Sequence, residues 1–137
     1  MLLAHAAVGR AVCSGEKIAS LDFARLDRRS TDRVELVLEG VGKTADSLEI
    51  QILFSSGSAK SAVAGSLFTY GEGPHNSQDN SGRFSPMNLT LDVTAAAQRF
   101  AGVSRVDVWI QLRDNAGREV KESLLLDRVE LQQHSEA

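Results

Sequence analysis

The chain has 137 residues, 42% hydrophobic and 24% charged, which suits one compact domain with one core and leaves no room within it for a second of ordinary size. With 15 Lys+Arg against 18 Asp+Glu the formal charge is −3, so no strong basic field exists to hold nucleic acid or an anionic membrane, and neither is an expected partner. A lone cysteine, Cys13, excludes an internal disulfide and a cysteine-rich zinc cluster, and the apolar core must hold the fold.

Residues 1–31 read as an N-terminal arm or linker remnant with room for a first strand. Met1 to Val8 (MLLAHAAV) is apolar, but it has no basic stretch ahead of it and is interrupted by His5, so it is not expected to be an export signal. No other stretch approaches the ~18 apolar residues of a membrane span, and a soluble chain is expected. From Arg33 onward the hydrophobic period is two. Val34, Leu36 and Leu38 alternate with Arg33, Glu35 and Val37, and Gly40 ends the run. After a turn in VGKTAD, Leu48, Ile50, Ile52 and Phe54 alternate with Glu49, Gln51 and Leu53, the pattern of a strand with one face in the core.

Ala62 to Tyr70 (AVAGSLFTY) reads as a strand in which Gly65 marks a bulge or a close backbone approach. Residues 71–86 (GEGPHNSQDNSGRFSP) have no periodicity and read as a surface loop. Leu89, Leu91 and Val93 suggest a strand, after which Thr94 is placed to cap a short helical turn over Ala95 to Phe100, closed by Gly102. Val106, Val108, Ile110 and Leu112 form the clearest strand, followed by a hairpin turn at Asn115-Ala116-Gly117. The return strand runs from Glu119 to Leu126, with Val129 and Leu131 extending it or forming a last short strand. The fold class is therefore all-β: an antiparallel β-sandwich of jelly-roll or cupredoxin-like type, with about six to eight strands and one short helix. A small closed barrel is the alternative. The domain proper is expected over 32–132, with 133–137 as a tail.

Reactive constellations are not evident. His5, His75 and His134 are far apart in the chain with no ligand spacing between them, and Glu72, Asn76, Asp79 and Asn80 do not match an EF-hand loop. There is no GxSxG elbow, and pairs such as Asp22 with Asp27 or Glu35 with Glu39 suit solvated strand faces and turns. Asn88-Leu89-Thr90 is a glycosylation sequon, relevant only to an exported chain. The chain by itself is not expected to be an enzyme or to carry a cofactor.

From Asp32 to Gln132 the order of segments resembles the C-terminal β domain of tyrosinases and plant polyphenol oxidases, which follows their dicopper domain. The segments are RVELVLEGV (Arg33 to Val41), SLEIQILF (Ser47 to Phe54), AGSLFTYGEGPH (Ala64 to His75), LTLDVTAAAQRF (Leu89 to Phe100), VDVWIQLRDNAGREV (Val106 to Val120) and LDRVELQ (Leu126 to Gln132). The departure is SLEIQILF, which stands where that family has an aromatic and charged "KFDV" wording. The resemblance implies an accessory domain that packs over the active-site mouth of a tyrosinase-like dicopper catalytic domain, in cis or in trans, and keeps it latent. Copper would then belong to that partner and not to this chain. The other reading is a stand-alone β-sandwich module that binds a ligand or a protein through its loops.

Two sets of residues are expected to carry the shielding role. The loop 71–86 with its flanks supplies Tyr70, His75, Phe84 and Met87, where Phe84 either tucks onto the domain's own core or projects into the phenol pocket of the partner. Val37, Leu53 and Trp109 fall on the polar side of their strands and form the expected docking face, unless a loop or the N-terminal arm covers them.

Overall fold

A computed structural model describes residues 1–27, 32–42, 47–57, 61–69 and 87–134. Its elements in chain order are β1 (Leu2–Val12), β2 (Lys17–Leu21), β3 (Arg33–Val41), β4 (Leu48–Ser55), β5 (Ser61–Thr69), β6 (Met87–Asp92), α1 (Thr94–Arg99), β7 (Val106–Arg113) and β8 (Leu124–His134). They form two four-stranded sheets of order β1-β8-β3-β6 and β2-β7-β4-β5, all paired antiparallel.

This wiring is that of a rolled hairpin. The first strand pairs with the eighth, the second with the seventh, the third with the sixth and the fourth with the fifth. Rolling then adds the β3–β8 and β4–β7 ladders that complete each sheet. The result is a jelly-roll sandwich, an open pair of sheets and not a closed barrel. Alternation explains the packing. Val34, Leu36 and Leu38 of β3, Leu48, Ile50, Ile52 and Phe54 of β4 and Val106, Val108, Ile110 and Leu112 of β7 are all buried, while their neighbours in sequence face outward.

The N-terminal stretch is more than an arm. β1 forms an edge of the first sheet against β8, and β2 forms an edge of the second against β7, with Leu3, Val12, Ile18 and Leu21 in the core. Two register shifts break the alternation of β1, one between Ala7 and Arg10 around Gly9 (φ +60°), which is why periodicity alone does not reveal an 11-residue strand. At the other terminus the return strand starts later than expected. Only an isolated bridge joins Glu119 to Arg113, and β8 then runs unbroken through Val129 and Leu131 to His134. Gln133 and His134, assigned to the tail by sequence, pair with Val34 and Arg33.

The helix also differs in its start. Thr94 lies inside α1, and no side chain caps the N-terminus at Val93. Its hydroxyl instead donates to Asp92 Oδ1 (2.6 Å) and accepts from the Val34 amide (2.9 Å), tying the helix to β3. Gly102 (φ +83°) closes the turn as expected and donates to the Phe23 carbonyl (2.9 Å). Phe100, with Phe23 and Phe54, fills this end of the core. The Phe23 and Phe54 centroids lie 5.3 Å apart, those of Phe54 and Phe100 6.2 Å, and both pairs are edge-to-face.

Candidate functional site

The bulge in β5 decides which side chains share a surface. Ile52 pairs with Gly65 but Leu53 pairs with Val63, so Ala64 is the extra residue, and the outward parity changes from odd positions before it to even positions after it. Of the two expectations for Gly65 the bulge is the one seen: a Cβ there would make ordinary contact, 3.5 Å from the Asp92 carbonyl oxygen and from Leu91 Cδ2. The consequence is a set of cross-strand rows on the outer face of the second sheet. Ser61, Ser55, Asp107 and Ser20 form one, and Val63, Leu53, Trp109 and Lys17 the next. Ser66, Gln51 and Gln111 follow, and then Phe68, Glu49 and Arg113.

Leu53 and Trp109 are thus direct neighbours, but Val37 is not with them. It belongs to β3 in the other sheet and faces the opposite side of the sandwich, between Glu130 and Thr90 in register. The expected three-residue docking face is therefore split over two surfaces, because β3 lies in the first sheet and β4 and β7 in the second. Around Val37 the side chains are polar and paired: Arg128 with Glu130 (3.0 Å), His134 Nε2 with Glu35 (2.8 Å) and Gln132 donating to Glu130 (2.9 Å). That face reads as solvated, with Val37 half-buried among them.

On the second sheet the surroundings are different. The Trp109 indole Nε1 donates to Ser55 Oγ at 2.8 Å, which fixes the ring diagonally across β7 and β4. An open cleft of about 290 Å³ lies beside it, lined by Gly15, Leu53, Ser55, Ser61, Trp109, Ile110 and Gln111. None of these side chains is ionisable. Asp107, which pairs with the lining residue Ser55 in register, is engaged elsewhere: it accepts from Ser20 Oγ (2.7 Å), which together with Arg105 holds it below the usual carboxylate value. Gln111 Oε1 accepts from Arg113 (3.1 Å), leaving its amide Nε2 hydrogens for another acceptor.

The expected shielding residues Tyr70, His75 and Phe84 lie outside the described residues. Met87, at the start of β6, is half-buried and pairs with Val41 at the far end of the sandwich from α1. Thr69, the last residue before the 70–86 connection, is buried at the same end, where its hydroxyl accepts from the Leu48 amide (3.2 Å). Beside it Phe68 is 61% exposed on the outer face.

Among the described residues no group of three or more His, Cys, Asp or Glu side chains converges. Partial desolvation and the neighbouring Glu16 carboxylate push the Cys13 thiol above its ordinary value, the opposite of an activated nucleophile. No helix among the described residues is long and apolar enough to cross a membrane. The exposed Phe68 and Val63 and the cleft itself were not legible in sequence, since their grouping depends on the bulge and on register. Compared with family models, with curated proteins and with solved structures, the chain matches none.

Proposed function

We propose that the chain is the non-catalytic accessory domain of a tyrosinase-like copper phenol oxidase, held against a dicopper domain in cis or in trans so that it covers the active-site entrance. The observation that supports this reading is the agreement between segments of likeness and structural units. RVELVLEGV coincides with β3, SLEIQILF with β4 and the residue before it, and AGSLFT with the last two thirds of β5. LTLDVTAAAQRF runs through β6 and α1, VDVWIQLR coincides with β7, and LDRVELQ lies inside β8.

In this reading copper chemistry stays on the partner, and this chain's residues bind and exclude. The docking corner is the end of the sandwich where Phe68 is exposed and the connection 70–86 departs, the segment that carries Tyr70, His75 and Phe84. A tethered segment excludes phenols by its high local concentration, without needing strong intrinsic affinity. Calorimetry with a tyrosinase dicopper domain freed of its own C-terminal domain tests the reading. A one-to-one complex with a Kd of micromolar order is expected, weakened about tenfold by Phe68→Ser. No association at ~100 µM of each partner, a concentration well above such a Kd, contradicts it. The cleft beside Trp109 favours a second reading, a ligand-binding module, and its chemistry can be taken further.

A further inference from the structure

The geometry points to a saccharide-binding site on the outer face of the second sheet, in which the Trp109 indole and Leu53 form the floor and Ser55, Ser61 and Gln111 form a neutral hydrogen-bonding rim. The cleft, about 290 Å³, sits near the lower bound of ligand sites and has room for one ring of a longer ligand that continues along an open sheet face. Its floor is pre-set, because the Ser55 hydroxyl holds the indole Nε1 at 2.8 Å and no ring rotation need be frozen on binding.

The rim selects the chemistry. An apolar aromatic ligand would make no use of the Ser61 hydroxyl and the Gln111 amide, and a charged ligand would find no ionisable side chain among the described lining residues. Of the charged neighbours among the described residues, Asp107 and Arg113 already bond Ser20 and Gln111, and Lys17, which pairs with Trp109 in register, lies outside the lining. A neutral pyranose answers both demands: its C–H face stacks on an indole, and its equatorial hydroxyls reach outward to hydroxyl and amide partners. The next outward row, Ser66, Gln51 and Gln111, continues the neutral polar surface along the strands and supplies a path for an adjoining ring. This site stands whether or not the chain is tethered to an oxidase, since Phe68, the exposed residue of the proposed docking corner, is not among the residues that line the cleft.

Trp109 is the sole tryptophan, so intrinsic fluorescence reports on the site without a label. Titration with soluble neutral hexasaccharides of glucose, xylose, mannose and N-acetylglucosamine should give a saturable change with at least one of them, at a Kd on the order of 0.01–1 mM. By calorimetry, Gln111→Ala and Ser61→Ala should each weaken that binding about three- to tenfold while leaving the urea midpoint unchanged, and Trp109→Ala should abolish it. Should Trp109→Ala fail to fold, the two rim variants carry the test, because both side chains leave the core untouched. No response to any hexasaccharide at ~10 mM, far above the expected Kd, overturns the assignment. So does undiminished binding by both rim variants, or tighter binding of p-cresol than of every saccharide.

Discussion

Phe54 is the side chain on which the core argument can be tested hardest. It is fully buried on β4, with Phe23 edge-on at 5.3 Å and Phe100 edge-on at 6.2 Å, so it joins the β2–β3 connection, the second sheet and the end of α1. Phe54→Ala removes a buried ring and leaves a cavity whose walls are held by two sheets, at a cost of about 3–5 kcal/mol. Each edge-to-face pair is worth ~0.5–1.5 kcal/mol beyond area, which places the expected loss in the upper half of that range. Against a total stability of about 5–15 kcal/mol the variant should still fold. Urea unfolding followed by Trp109 fluorescence measures it: with a slope of roughly 2 kcal/mol/M, the midpoint should fall by about 2 M at unchanged slope. Phe54→Leu keeps the site apolar and should lose only ~1–2 kcal/mol. A midpoint shift under about 0.5 M for Phe54→Ala, or equal losses for Ala and Leu, would refute the idea that this aromatic cluster clamps the sheets together.

Gly40→Ala should destabilise by at least ~1–2 kcal/mol in the same assay. The backbone there has φ +68° and the new Cβ would collide with Asp127, Cβ included, so Asp127→Ala should not rescue it. On the acid side, Asp92 is held below the usual carboxylate value by the Thr94 hydroxyl and amide, and Asp107 by Ser20 with Arg105. Groups with lowered folded-state values add stability above the unfolded value, near pH ~4, and lose it as the pH falls through the folded value. The urea midpoint should therefore decline below pH ~4, and less steeply in Asp107→Asn; equal slopes in both proteins would contradict the assignment.

Much of the sandwich was legible because β3, β4 and β7 have one buried face, and a half-buried antiparallel strand writes its orientation into every second residue. β1 was not, since Ala, His and Gly supply little contrast and its register shifts reset the period. β8 starts later than the pattern suggests because Lys121, Glu122 and Ser123 are polar and lie outside the strand, and Val120, which donates to the Leu112 carbonyl (3.0 Å), is the last residue of the turn to pair with β7. The candidate site was less legible still. Alternation identifies Leu53 and Trp109 as outward, yet only pairing register shows them adjacent, and only sheet assignment shows Val37 on the opposite side. Val63 and Phe68, of opposite parity, share a face because one extra residue at Ala64 intervenes. Neither fact is encoded in a single strand's pattern.

The accessory role is tested most directly by diphenol oxidation. A tyrosinase-like dicopper domain freed of its own C-terminal domain should lose activity as this chain is added, saturably and by about tenfold or more, and Phe84→Ala should restore part of the rate if that ring enters the phenol pocket. An oxidation rate that stays constant through a large excess of this chain would contradict the account.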